Sequence, residues 1–156
     1  MAKTTTILRL QSESETAQLG QTLAQIAEPG DCFLLRGQIG VGKSSLARSF
    51  IRAILGPDVE VPSPTFTLVQ SYDYGDVEIW HADLYRLGDP QEAVELGLVD
   101  AFEDHICLIE WPELLGDMVP NTALDIYLEI SDDAHLCTIT FDETWANRMR
   151  VFVEDA

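Results

Sequence analysis

The segment Gly37-Gln38-Ile39-Gly40-Val41-Gly42-Lys43-Ser44 fits the pattern GxxxxGK[ST], and no other feature restricts the fold of these 156 residues as strongly. Such a loop works between a strand and a helix. The glycines let the backbone turn its N–H groups towards one point, and the following helix aims its positive end at the same place. The group held there is an anion. Lys43 is spaced to reach the outer phosphates of a nucleoside triphosphate, and the Ser44 hydroxyl is placed for Mg2+. With only two lysines in the chain, Lys3 and Lys43, random placement would produce the pattern about once in a thousand such sequences. The flanks fit as well: Cys32 to Arg36 reads as a buried strand, and Lys43 to about Leu55 as a helix ended by Gly56-Pro57.

The remaining periodicity extends this strand–loop–helix unit into an α/β fold. Thr6 to Leu10 is a strand, and Ser12 or Ser14 caps a helix to about Ala27. Phe66 to Tyr72 and Val77 to Asp83 read as strands of a hairpin turning at Asp73-Tyr74-Gly75-Asp76. Short helices follow at Pro90 to Leu96, capped by Asp89, and at Leu98 to Glu103. Ile106 to Ile109 is a continuous apolar run ending in Glu110, as a central strand covered on both faces requires. Ala123 to Ile130 and His135 to Phe141 form a second hairpin around Ser131-Asp132-Asp133, and Thr144 is placed to cap a last helix. The expected architecture is a single three-layer P-loop NTPase domain over residues 1–156, with a mixed, mainly parallel sheet and flanking hairpins.

Charge narrows the function. Nine Lys plus Arg against 27 Asp plus Glu give a net charge of −18, and no basic residue lies between Arg86 and Arg148. Such a surface repels phosphate backbones and anionic lipids, which argues against tight direct binding of nucleic acid or membrane. The acidic second half reads mainly as a solvated face. Cys32, Cys107 and Cys137 are widely spaced within apolar runs, as buried thiols of a reducing compartment are. No apolar run approaches the ~18 residues of a membrane span, and no secretory apolar region follows Met1 to Thr6. A cytoplasmic protein is expected.

A phosphate loop needs a carboxylate to hold Mg2+ or its waters and to orient the attacking water. By spacing alone, Glu110 at the end of the most apolar strand and Asp83 at the end of the hairpin strand compete for that role. The Asn-Lys-x-Asp guanine-reading motif is absent at both lysines, which argues against a guanine-specific GTPase. The stretch without basic residues leaves no room for the arginine-bearing lid of small-molecule kinases, so isolated hydrolysis should be slow and partner-dependent.

Several blocks beyond the loop carry a family likeness. They are Ser63-Pro64-Thr65-Phe66-Thr67-Leu68-Val69, His81-Ala82-Asp83-Leu84-Tyr85-Arg86-Leu87, Glu95-Leu96-Gly97-Leu98 and Ile109-Glu110-Trp111-Pro112-Glu113. Together with Gly37 to Ser45, in this order and spacing, they resemble the TsaE (YjeE) family across about residues 6 to 116. The resemblance implies an ATPase working with TsaD and TsaB, which place threonylcarbamoyl on N6 of A37 in tRNAs reading ANN codons. The tRNA would be met only through that complex. It implies ATP and Mg2+ as cofactors, with Gly37, Gly40, Val41, Gly42, Lys43, Ser44 and Ser45 around the phosphates. Thr65 would belong to a switch-like loop near the γ-phosphate, and Trp111 would stand beside the nucleotide pocket. Asp83 matches the family's Walker-B-type acid, catalytic together with Lys43, and Glu110 matches the Mg2+-associated glutamate, with Ser44 as the other metal ligand.

Two positions depart from the family pattern: Ser44 where threonine is common, and Gln38 where aspartate is. Serine supplies the same oxygen, whereas Gln38 removes a charge from the loop mouth. After about residue 116 the likeness fades, and the C-terminal hairpin and helix inherit nothing specific. Plainer roles stand beside these. Ser63-Pro64-Thr65 could be a rigid turn, His81 a packed or exposed strand residue, Arg86 the partner of a nearby acid, and Trp111 a cap on the core. Ser12 to Thr16 is a candidate to meet the base. A small-molecule kinase and a nucleotide-sensing adaptor that never hydrolyses ATP are the competing functions.

Overall fold

The computed structural model describes residues 3–38 and 40–153. Met1 and Ala2 of the N-terminal reading, and Ile39 of the phosphate loop, lie outside the described residues. The elements in chain order are β1 (Thr4–Leu10), α1 (Glu13–Ile26), β2 (Cys32–Arg36), α2 (Lys43–Leu55), β3 (Val69–Tyr74), β4 (Val77–Asp83), α3 (Pro90–Glu95), α4 (Leu98–Asp104) and β5 (Ile106–Glu110). A 3₁₀ segment at Pro112–Met118, β6 (Leu124–Ser131), β7 (Ala134–Phe141), a 3₁₀ turn at Glu143–Trp145 and α5 (Arg150–Val153) complete the chain.

Seven strands form one sheet in the order β1-β7-β6-β2-β5-β4-β3. The central run β6-β2-β5-β4 is parallel, and β7 and β3 are antiparallel to their neighbours. Because β1 pairs antiparallel with β7, five of the seven strands point the same way. This is the mixed, mainly parallel sheet with flanking hairpins that the sequence implies. The C-terminal ends of β2, β4 and β5 therefore open on one edge, where ligands of open α/β sheets bind.

The two faces carry separate cores. On one, Phe33 and Leu35 of β2 and Leu108 of β5 pack against Leu19 and Leu23 of α1 and Leu46, Phe50 and Ile51 of α2. Phe33 meets the Phe50 and Trp145 rings edge-on, with centroids 5.0 and 5.4 Å apart, contacts worth ~0.5–1.5 kcal/mol each beyond burial. On the other, Leu34, Cys107 and Ile109 pack against Ala93 of α3 and Leu98, Ala101 and Phe102 of α4. Helix α1 approaches α2 at Gly20, where an added Cβ would lie 2.8 Å from Ser49 Cβ and 2.9 Å from the Leu46 carbonyl. All three cysteines are free and buried. No helix among the described residues is long and apolar enough to cross a membrane.

Local differences have local causes. The strand expected from Phe66 starts only at Val69, because the Leu68 N–H bonds the Pro64 carbonyl at 2.7 Å and Leu68 takes φ +69°. That turn throws Phe66 outward, 81% exposed. The second hairpin turns on Asp132-Asp133 alone, with Asp132 at φ +52°, so β6 runs one residue later and β7 starts one residue earlier than expected. Thr144 is not the cap: the Asp142 carboxylate accepts the Thr144 N–H at 2.9 Å and starts a 3₁₀ turn, and α5 is only four residues long. Asp89 and Ser12 cap α3 and α1 as expected.

Candidate functional site

The loop between β2 and α2 comes off the middle of the sheet. Gly42 is the N-cap of α2 at φ +102°, a conformation open to glycine and strained for other residues. It leaves the first turn of α2 facing a cavity of about 730 Å3, lined from this element by Gly40, Gly42, Lys43, Ser44 and Ser45. Lys43 is 5% exposed. Its Nζ donates to the Gly37 carbonyl at 2.6 Å and stands 3.5 Å from the centroid of the Trp111 ring. Burial pushes its ammonium below the usual lysine range, while Glu110, and then Glu113 and Asp83, pull it back up.

The two competing carboxylates turn out to be neighbours. Asp83 ends β4 and Glu110 ends β5, directly opposite in register, and both are buried. The Ser44 hydroxyl reaches the Glu110 oxygens at 3.0 and 3.1 Å. Asp83 accepts the Tyr85 N–H at 3.1 Å and the Thr65 hydroxyl at 3.3 Å, and Thr65 is 2.8 Å from the Ser63 hydroxyl. Two carboxylates buried side by side are costly unless a cation faces them. One hydroxyl and two carboxylates make an all-oxygen set, which suits Mg2+ carried in with phosphates and waters. No cluster of three or more His, Cys, Asp or Glu able to hold a metal occurs among the described residues.

Most residues singled out from the sequence meet at this cavity: Gly40, Gly42, Lys43, Ser44, Ser45, Thr65, Asp83, Glu110 and Trp111. Two do not reach its lining. Val41 is buried in the core beneath the loop, and Gly37 is engaged through its carbonyl with Lys43. Trp111, at φ +59°, lines the cavity, packs on the second core and meets the Tyr85 ring at 5.0 Å. Arg86, expected to pair with an acid, instead lies 4.6 Å from the Phe66 ring centroid. His81 is buried against Glu110 at 2.7 Å.

The far wall extends the site beyond the motifs. Leu10 to Glu13, at the junction of β1 and α1, and Thr16 line it; of Ser12 to Thr16, the segment singled out for the base, Ser12, Glu13 and Thr16 reach the lining. Asp133 of the β6–β7 turn and Ala134 and His135 at the start of β7 line the cavity beside them, since His135 is paired with Leu10 across β1 and β7. Nothing in that hairpin's sequence distinguishes it from any other acidic turn. Its place here comes from topology, since β6 pairs with β2 and carries its hairpin to the strand edge.

The family model described as threonylcarbamoyl adenosine biosynthesis protein TsaE matches residues 10–141, which takes in the C-terminal hairpin that the motif likeness left out. The chain is 39% identical over 132 residues to the tRNA threonylcarbamoyladenosine biosynthesis protein TsaE of Rickettsia bellii (strain RML369-C), covering 84% of this chain and 92% of that protein. It is 34% identical over 134 residues to the protein of that name from Bacillus subtilis (strain 168), covering 85% and 83%. The crystal structure of Bacillus subtilis YdiB superposes with a TM-score of 0.81 at 24% identity, over 99% of this chain and 98% of that one. The family match over residues 10–141 and the identity to these relatives make this chain a member of the TsaE family of tRNA threonylcarbamoyladenosine biosynthesis proteins.

Proposed function

We propose that the chain is a Mg2+-dependent ATPase that supports TsaB and TsaD in forming N6-threonylcarbamoyladenosine at position 37 of tRNAs reading ANN codons. Its hydrolysis is slow until those partners bind. The observation that carries this reading is the convergence of Lys43, Ser44, Asp83 and Glu110 on one cavity at the strand edge.

Each side chain has a task that its contacts suit. Phosphate oxygens would take the place of the Gly37 carbonyl and the Trp111 face around Lys43 Nζ, replacing one neutral acceptor by charged ones. Ser44 donates its proton to Glu110 and keeps its lone pairs, so hydroxyl and carboxylate together would hold Mg2+. When bound, the cation neutralises charge that develops on the phosphates. Asp83, held by Tyr85 and Thr65, retains acceptor capacity to orient a water. The start of α1 and the β6–β7 turn leave room for the nucleoside end.

Two features favour dependence on partners. Only two Lys or Arg side chains line the cavity among the described residues, Lys43 and Arg86, and Arg86 is turned onto Phe66. The transition-state charge is then incompletely met, which a partner surface can correct. The net charge assigns tRNA contact to the partners as well. We expect a cytoplasmic protein from its three free, buried cysteines, which suit a reducing compartment.

The test is phosphate release by the purified chain, alone and with TsaB and TsaD. Strong stimulation that Lys43→Ala and Glu110→Ala both abolish is the expected result. ATP binding with no hydrolysis under any of these conditions would replace the ATPase by a nucleotide-sensing adaptor, and a phosphorylated small molecule in place of free phosphate would make it a kinase. A salt-sensitive gel shift of tRNA with the chain alone would contradict the assignment of tRNA to the partners.

A further inference from the structure

Glu110 has a neighbour that the nucleotide reading does not use. His81 lies on β4, opposite Leu108 of β5 and two residues before Asp83. It is 1% exposed, and its Nε2 lies 2.7 Å from Glu110 Oε2. A carboxylate only accepts, so the ring donates. Its Nδ1 is also buried and has no hydrogen-bond partner among the described residues. An apolar residue at this place would avoid the cost of that unpaired nitrogen. Nor is the side chain needed to join the strands, since β4 and β5 are paired residue by residue from Ile79–Ile106 to Asp83–Glu110. What the imidazole adds is one bond to one oxygen.

That bond has a geometric consequence. The Ser44 hydroxyl stands almost equally far from both Glu110 oxygens, at 3.0 and 3.1 Å, and so does not choose the tilt of the carboxylate. The last torsion of a glutamate is broad and roughly two-fold, so nothing intrinsic chooses it either. His81 reaches Oε2 alone and removes this freedom. We propose that His81 is a positioning residue for the divalent-cation site: it holds Oε2 of Glu110 so that the carboxylate meets the cation in a preset orientation beside Ser44. The proposal rests on the nucleotide and Mg2+ reading above and adds the residue that presets its acid. Partners of this kind, one bond behind a metal ligand, typically change metal affinity by about 10- to 100-fold when removed.

The experiment is calorimetric binding of ADP to the full chain in EDTA and in excess Mg2+. The ratio of the two dissociation constants measures how strongly the cation and nucleotide are coupled. His81→Leu and His81→Asn remove a donor at the Nε2 position, whereas His81→Gln brings an amide N–H to nearly the same place. The coupling ratio should fall about tenfold in the first two variants and stay within about twofold of the parent in His81→Gln. Affinity in EDTA should be unchanged in all three. Full coupling in His81→Asn, equal losses in His81→Asn and His81→Gln, or a parallel loss of affinity in EDTA would each overturn the proposal. A parent protein without Mg2+ coupling would instead remove the metal reading on which it rests. Should the buried substitutions prevent folding, the unmodified protein still decides: the hydrogen-bonded His81 Nε2–H resonance should shift when Mg2+ is added to ADP-saturated protein. A resonance that the cation leaves unmoved would overturn the assignment.

Discussion

Lys43 is held between opposite demands. Burial disfavours its charge, while Glu110, Glu113 and Asp83 restore it, and its ammonium rests on a carbonyl and an indole face. Losing a charged donor to phosphate costs ~1.5–3 kcal/mol, so Lys43→Ala should weaken ATP binding about 10- to 100-fold by calorimetry. A second residue-scale prediction concerns pH. The Thr144 hydroxyl, donating to Asp142, is the main cause that holds this carboxyl below its ordinary value of 3.8, helped by the Thr144 N–H and opposed by burial. A carboxyl whose folded pKa is depressed adds stability that is fully present above its unfolded pKa and is lost as pH falls through the folded one. Asp142→Asn should therefore lower the melting temperature at pH 7. The gap from the parent should narrow below about pH 4, and a gap that stays constant down to acid pH would contradict this account.

At the scale of elements, the α1–α2 contact governs how the first layer sits over the phosphate loop. With Ser49 Cβ and the Leu46 carbonyl inside 3 Å of any added Cβ, Gly20 has no spare volume. Gly20→Val should destabilise the chain by about 1–3 kcal/mol in urea unfolding, through separation of the two helices. It should also weaken nucleotide binding, because α2 opens from the loop. The parts of the fold that were legible in the sequence are those whose reasons are local. β2, α2, β4 and β5 coincide with their apolar runs, and the caps at Ser12 and Asp89 follow from their own side chains. What escaped is backbone geometry that residue type does not announce. The turn at Leu68 delays β3 because the Leu68 N–H bonds the Pro64 carbonyl at 2.7 Å and Leu68 takes φ +69°. The site divides in the same way. Lys43, Ser44, Asp83 and Glu110 announce themselves by type and spacing, but that Asp83 and Glu110 stand side by side depends on the β4–β5 register, and the Asp133–His135 wall on the pairing of β6 with β2.

For the whole molecule, a nucleotide bound as proposed would have to approach a chain of net charge −18. Two fields of different range act on an incoming nucleotide. Close in, Lys43 and the loop N–H groups would attract its phosphates over a few ångströms, with Arg86 beside them on Phe66. Further out, the summed negative charge repels it over a distance set by salt: ~30 Å at 0.01 M and ~8 Å at 0.15 M ionic strength. Added salt therefore removes the repulsion met on approach before it weakens contacts made inside the cavity. It follows that association of free ATP should speed up as salt rises from about 0.01 to 0.15 M, the reverse of a cationic nucleotide-binding protein. The effect should be smaller for Mg2+-complexed ATP, which carries less charge. Stopped-flow measurement with a fluorescent ATP analogue reads both cases directly. An association rate that falls with salt would mean that the field of Lys43 and Arg86 reaches past the acidic surface. In the proposed function, a partner would then serve catalysis alone and would not also relieve the charge at the cavity mouth.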